Sequence, residues 1–198
     1  MTDALIRSAR DGDVDGMLAI YAPIVTDTAI SFEEHPPDAA EFVRRVRAIR
    51  QRHAWLVCVA DGDVLGYAYA STFHPRAAYQ WTVEATVYVS ASARRRGVGR
   101  ALYTSLFECL KLQGCQTAVA LIALPNAGSV GLHEAMGFAP TGVLPRAGYK
   151  HGAWHDVGYW SLALGDTHQP AAPLLPEELA DDPRWERAVG TGQALLLQ

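Results

Sequence analysis

Glu84-Ala85-Thr86-Val87-Tyr88-Val89-Ser90, followed by Arg94-Arg95-Arg96-Gly97-Val98-Gly99-Arg100, decides how this 198-residue chain reads. The first run is rich in β-branched and aromatic side chains and predicts the end of a strand over residues 81–89. The second predicts a turn and then a helix over residues 97–113, which Gly114 ends. Leu102, Leu106 and Leu110 recur every four residues on that helix and predict a face laid on a sheet. Paired glycines let backbone N–H groups approach an anion, a helix's first turn leaves its amides unpaired, and arginines add charge. The stretch reads as a grip for a pyrophosphate. A single carboxylate, Glu84, lies upstream on the strand that leads into it, which points to an enzyme that sets a phosphorylated cofactor beside a general base.

Upstream, residues 5–9 predict a first strand, and Asp11 and Asp13 are placed to cap a helix whose apolar face includes Val14, Met17, Leu18, Tyr21 and Val25. Pro36-Pro37 breaks the chain before a second helix, opened by Asp38-Ala39-Ala40-Glu41 as a variant of the capping box and carrying Phe42, Val46 and Ile49 inward. Residues 55–60 and 64–72 predict strands joined at Asp61-Gly62-Asp63. Downstream come a strand over 117–124, a helix over 126–136 stopped by Gly137, and strands over 138–143 and 157–164. The order β-α-α-β-β-β-α-β-α-β-β predicts an α/β fold of the α+β kind, a mixed sheet with helices on both faces. Four of the eleven prolines fall at Pro170, Pro173, Pro176 and Pro183, so residues 1–165 read as the domain and 166–198 as a proline-rich tail. Trp185 and Leu195-Leu196-Leu197 are its candidates to dock on the domain or on a partner.

Composition bounds the partners. Hydrophobic residues make up 49%, charged residues 19%, and the net charge is −4, which argues for a globular chain and against nucleic acid. No apolar run nears the roughly 20 residues of a membrane span. Met1-Thr2-Asp3-Ala4 lacks a basic leader segment, which predicts a cytoplasmic protein. Cys58, Cys109 and Cys115 are odd in number and lack C-x-x-C spacing, so they predict reduced structural thiols. His151, His155 and Asp156 belong to one continuous run, and no metal is expected there.

The anion motif lacks the third glycine of a dinucleotide-binding G-x-G-x-x-G, since Leu102 stands there, and it lacks the Gly-Lys-Ser/Thr of a nucleotide P-loop. What remains is Arg/Gln-x-x-Gly-x-Gly/Ala over Arg94 to Gly99, which by itself also fits a charged turn before a surface helix. A second helix opens at Asn126-Ala127-Gly128-Ser129 and closes at Met136-Gly137-Phe138. The two helices in this order resemble the GCN5-related N-acetyltransferase (GNAT) superfamily. Tyr79-Gln80-Trp81-Thr82-Val83-Glu84, Leu124-Pro125-Asn126, His133-Glu134-Ala135 and Gly148-Tyr149-Lys150-His151-Gly152-Ala153-Trp154-His155-Asp156 narrow the likeness to its phosphinothricin/methionine sulfone acetyltransferase family, over residues 6–164.

The resemblance implies a GNAT fold with a central strand pair splayed at a bulge, and acetyl-CoA as cosubstrate without a metal. It places Val87, Tyr88 and Val89 as backbone partners of the pantetheine arm, and Arg94, Arg95, Arg96, Gly97, Val98, Gly99 and Arg100 around the phosphates. Asn126 and Ser129 would touch the arm farther along. Phe32, Arg76, Tyr79 and Tyr88 match acceptor-site positions, although His74, Ala78 and Gln80 depart from the herbicide-detoxifying members. Glu84 would be the general base; the competing reading is a structural glutamate paired with Arg76. His133 stands where many superfamily members carry the tyrosine that protonates the departing thiolate, and reads as acid, as second base or as an ordinary packed side chain. The expected reaction acetylates the α-amine of a small amino-acid analogue by direct transfer, in an enzyme that forms homodimers. A protein N-terminal acetyltransferase and a non-catalytic acetyl-CoA-binding module are the alternatives.

Overall fold

Residues 4–166 and 168–196 are described by a computed structural model; Leu197 of the tail's leucine run and Met1, Thr2 and Asp3 of the N-terminal reading lie outside the described residues. The strands are β1 (Leu5–Ser8), β2 (Trp55–Ala60), β3 (Asp63–Thr72), β4 (Thr82–Val89), β5 (Thr117–Leu124), β6 (Ala139–Lys150) and β7 (Ala153–Ala163). They form one seven-stranded sheet in the order β1-β2-β3-β4-β5-β7-β6. The helices are α1 (Val14–Asp27), α2 (Ala39–Arg50), α3 (Val98–Gln113), α4 (Ala127–Ala135) and α5 (Pro183–Gly190).

Strand alternation splits the core in two. Trp55, Val57 and Tyr67 point to the face covered by α1 and α2, where they meet Met17, Tyr21, Val25, Phe42 and Val46. Leu56, Cys58 and Ala68 point to the other face, against Leu102, Tyr103, Leu106 and Leu110 of α3. Both faces of β2 are thus covered, which is why its run is apolar throughout. Asp38 caps α2, accepting from the Glu41 amide at 2.7 Å. Asp13 stands at the start of α1 but makes no side-chain cap; its carboxylate instead pairs with the Arg7 guanidinium at 2.7 and 2.8 Å.

The pair that positions the site is β4 and β5. They run parallel, in register only from Thr82↔Thr117 to Glu84↔Val119, and part beyond Glu84. Elsewhere the sheet is antiparallel.

Two regions differ from the sequence expectation. The last hairpin runs on to Lys150 and resumes at Ala153, turning through His151 (φ 51°) and Gly152 (φ 76°), both in the left-handed region that two-residue hairpin turns use. Pro140, Gly142, Pro145 and Gly148 hide this strand from a pattern reading. They are tolerated because β6 is a sheet edge and its register shifts twice, between Pro140 and Gly142 and between Leu144 and Gly148. The second difference is α5. Asp182 accepts from the Arg184 amide at 2.8 Å and Pro183 takes the first helical position, so a proline counted as a mark of the tail serves as a helix start. Trp185, Ala188, Val189 and Leu179 are buried in the same core cluster as α3.

Candidate active site

Where β4 and β5 separate, two adjoining cavities open, sharing Ile30, Val87, Tyr88, Asn126 and Ser129 in their walls. The larger, about 440 Å³, lies over the turn before α3 and is lined by Val87, Tyr88, Val89, Arg94, Arg95, Gly97, Val98, Gly99, Arg100, Asn126 and Ser129. Gly97 adopts φ 79° and Arg95 φ 59°, left-handed conformations of the kind that turn backbone amides toward an anion. Gly99 serves close packing: a side-chain carbon there would lie 3.1 Å from Leu132 Cδ2 of α4. Arg94, Arg95 and Arg100 are exposed around the opening. Arg96 sits in the same turn without lining the cavity.

The second cavity, about 260 Å³, holds Glu84, Tyr103 and His133 at its inner end and Ile30, Phe32, Leu121 and Val157 among its apolar walls. Glu84 is half-buried, and burial alone pushes its carboxyl above the ordinary range. No arginine or lysine lines this cavity, and among the described residues no ion pair joins Glu84 to Arg76.

Tyr103 was not legible in the sequence as a site residue, because an aromatic on the apolar stripe of α3 reads as core. Its ring is core, stacked on Phe107 at 4.9 Å, but its hydroxyl reaches His133 Nε2 at 2.8 Å and lies 3.3 Å from the Ala85 carbonyl. His133 Nδ1 lies 2.8 Å from the Ser129 carbonyl, so that nitrogen donates. Nε2 of the neutral ring then accepts from Tyr103, and both ring nitrogens are engaged. Burial lowers the His133 pKa, an effect the bond to Ser129 opposes, so the imidazole is neutral near pH 7. Ala85 C=O faces away from β3, and alternation puts the Val87 N–H on the same side, toward the gap between β4 and β5.

Asn126 accepts from the Ser129 amide at 3.1 Å as the cap of α4, which turns that helix toward the gap. Phe32 is 39% exposed at the cavity wall, with its ring against Gly148, where a side-chain carbon would lie 2.4 Å from the ring. Tyr88 lines both cavities and packs on Tyr21 and Tyr67. Arg76 and Tyr79 are not brought into either cavity; Tyr79 packs on Phe73 and His74 in the outer loop. His155 Nε2 and His151 Nε2 lie 3.0 and 3.2 Å from backbone carbonyls, while the Asp156 carboxylate accepts from the Arg146 amide. Among the described residues no group of His, Cys, Asp or Glu is arranged to hold a metal ion.

An architecture of this kind is found in proteins already described. The sequence profile of the Acetyltransferase (GNAT) domain matches residues 6–158. A phosphinothricin N-acetyltransferase of Streptomyces viridochromogenes is 42% identical over 85% of this chain and 90% of its own length. An L-methionine sulfoximine/L-methionine sulfone acetyltransferase of Pseudomonas paraeruginosa is 38% identical over 83% of this chain and 96% of its own. A GNAT superfamily phosphinothricin acetyltransferase from Sinorhizobium meliloti, solved in complex with AcCoA, superposes with a TM-score of 0.83 at 33% identity, covering 88% of this chain and 97% of that one.

Proposed function

Because this chain belongs to the acetyltransferase (GNAT) family, we propose that it transfers the acetyl group of acetyl-CoA to the α-amine of a small amino-acid analogue of the phosphinothricin, methionine sulfone or methionine sulfoximine type. One observation carries the reading. Glu84, a carboxyl held above its ordinary pKa, stands where β4 and β5 part and lines the cavity that adjoins the arginine-rimmed one. The names of the relatives support the acceptor class.

In this proposal Arg94, Arg95, Arg96 and Arg100 neutralise the pyrophosphate while the amides of Gly97, Val98 and Gly99 bond to it. Val87, Tyr88 and Val89 offer backbone groups to the pantetheine arm, and Asn126 and Ser129 meet it farther along. An ammonium cannot attack a thioester, and an α-amine of pKa about 8 is roughly one-tenth neutral at pH 7, a handicap of about 1.4 kcal/mol. Glu84, through a water, takes the amine proton as the C–N bond forms. The Val87 N–H stabilises the oxyanion that develops on the acetyl carbonyl oxygen. As the C–S bond breaks the thiolate leaves, and the hydrogen-bonded pair Tyr103–His133 lies beside its path. Neutral His133 fits the part of a group that orients Tyr103 and buffers its proton better than that of a standing acid. Phe32 and Tyr88 shape the acceptor end, and the assignment of Arg76 and Tyr79 to the acceptor rests on the family likeness alone, since they line neither cavity.

We also propose residues 1–165 as the catalytic domain, with 166–198 as a C-terminal segment that packs back onto α3. The enzyme is assigned to the cytoplasm as a homodimer. The three cysteines are free and buried, with pKa values raised to about 11 for Cys58 and about 12 for Cys109 and Cys115, as suits unreactive reduced thiols. Among the described residues no helix is long and apolar enough to cross a membrane.

The test is an acetyl-CoA consumption screen over methionine sulfone, methionine sulfoximine, phosphinothricin, free amino acids and peptides. Turnover is expected with the analogues. Turnover confined to peptides would replace the small acceptor by a protein N-terminus, and acetyl-CoA binding without turnover on any of them would leave a binding module.

A further inference from the structure

The segment after β7 does not leave the domain. Trp81 Nε1 donates to the Ala171 carbonyl at 2.7 Å, and Gln113 at the end of α3 exchanges backbone and side-chain bonds with Leu174. The chain then runs back along α3, burying Leu179, Trp185, Ala188 and Val189, and ends where α3 begins. There the Gly192 N–H donates to Ser105 Oγ at 3.0 Å. The backbones approach so closely that a side-chain carbon on Gly192 would lie 1.9 Å from the Ala101 carbonyl oxygen. The Leu195 carbonyl oxygen would lie 3.1 Å from a side-chain carbon on Gly97. Gln193 fixes the far side: its Oε1 accepts from the Ile6 N–H at 2.9 Å and its Nε2 donates to the Ala4 carbonyl, so its amide pairs with the outer edge of β1.

These contacts fall on the turn that holds the anion. Ala101 N–H donates to Gly97 O at 2.9 Å, the bond that closes the first turn of α3. Arg95 and Gly97 are both left-handed, a region that is strained for a residue with a side chain, so the shape persists only where neighbouring structure over-determines it. On its outer side the turn faces an open cavity. Support comes from behind, from α3 and from residues 191–196 laid against it.

We propose that Gly192 and Gln193 are positioning residues for acetyl-CoA: they clamp the C-terminal segment between β1 and the first turn of α3, and so hold the Gly97, Val98 and Gly99 amides aimed at the pyrophosphate. The proposal rests on the reading of Arg94–Arg100 as the phosphate site. It assigns the tail a task in cosubstrate affinity rather than in partner binding. Glycine is required at 192 because any side chain would push the tail and the Ala101 peptide apart.

The test compares wild type, Gly192→Ala and Ser105→Ala in the full chain. Each is measured for acetyl-CoA Kd by calorimetry and for kcat and KM with acetyl-CoA and with S-acetylpantetheine, which lacks the pyrophosphate. Both variants should bind acetyl-CoA about tenfold more weakly, as expected for loss of a charge-assisted hydrogen bond. Their kcat at saturating acetyl-CoA and their kcat/KM on S-acetylpantetheine should stay at the wild-type values. Equal losses on both donors, or an unchanged Kd, would overturn the proposal. If Gly192→Ala does not fold, Ser105→Ala decides, since it removes only the hydroxyl that accepts from Gly192. A wild-type chain that binds no acetyl-CoA overturns the phosphate-site reading itself, and the brace with it; wild-type binding with unaltered variants overturns the brace alone.

Discussion

Glu84 joins a cost to a use. Burial raises its pKa, so the folded chain binds a proton at Glu84 more tightly than the unfolded chain does. Stability from this group is therefore complete below the ordinary carboxylate pKa and is lost as pH rises through the folded value. Above that, an ionised carboxylate is held half-buried with no cation lining its cavity. Glu84→Gln removes the penalty and the base together. Its kcat should fall by about a hundredfold or more, the usual worth of a positioned base, with acetyl-CoA Kd unchanged. Its stability relative to wild type should be level in acid and grow as pH rises above the ordinary carboxylate range, read from urea unfolding across pH. Turnover near wild type would remove Glu84 as the base, and a stability difference flat with pH would remove its raised pKa. Glu84 was legible as a candidate because glutamate is disfavoured inside a β-type run and this one lies on the strand that leads into the anion motif. Tyr103 was not, because its ring obeys the helical stripe and only its hydroxyl belongs to the site. Arg76 and Tyr79 show the opposite limit: residue type and spacing name an acceptor loop but carry no information about which way that loop faces.

Among the elements, the strand-turn-helix from β4 to α3 and the cap of α4 were readable from local pattern. The long hairpin was not, since its prolines and glycines are compatible with a strand only at an edge, and edge position is a property of the whole sheet. That hairpin matters to the site. Lys150 at the end of β6 is buried, and its Nζ donates to the Val25 carbonyl at 2.6 Å and the Ser31 carbonyl at 2.7 Å. It thereby ties the loop after α1, which carries Ile30 and Phe32, over the cavity that holds Glu84. Lys150→Met keeps the apolar stem but leaves two carbonyls without their donor, a loss of about 1–3 kcal/mol for a buried group. The loosened loop should raise the acceptor KM about tenfold or more by the same energy, with a smaller rise in the acetyl-CoA KM, since Ile30 of this loop also lines the other cavity. Steady-state kinetics in each substrate makes the check, and a rise in the acetyl-CoA KM alone would show that the clamp serves the other cavity.

At the scale of the molecule, the two edges of the sheet are treated differently. The edge at β1 is closed by the Gln193 amide and by α5, so it offers little to a second chain. The edge at β6 is open, and four large apolar side chains of the hairpin stand in solvent: Val143 at 57% exposure, Leu144 at 51%, Tyr149 at 60% and Trp154 at 53%. A strand edge flanked by exposed apolar side chains is a template for pairing, and a closed two-fold contact between identical edges covers it in both copies. A stable contact of this kind buries about 800 Å² on each partner, which the side chains of a twelve-residue strand and its return can supply. The homodimer is therefore expected through β6 and β7. Light scattering on the purified protein should give twice the chain mass at micromolar concentration, and Leu144→Glu should halve it without loss of fold, since that side chain is exposed in the single chain. A monomeric wild type would sink the dimer, and a Leu144→Glu protein that stays dimeric would move the contact off this edge. Because the same hairpin carries Lys150 and, through it, the loop over Glu84, the monomeric variant should also show a raised acceptor KM, whereas its affinity for acetyl-CoA, held by α3 and the tail on the far side of the splayed strands, should not change.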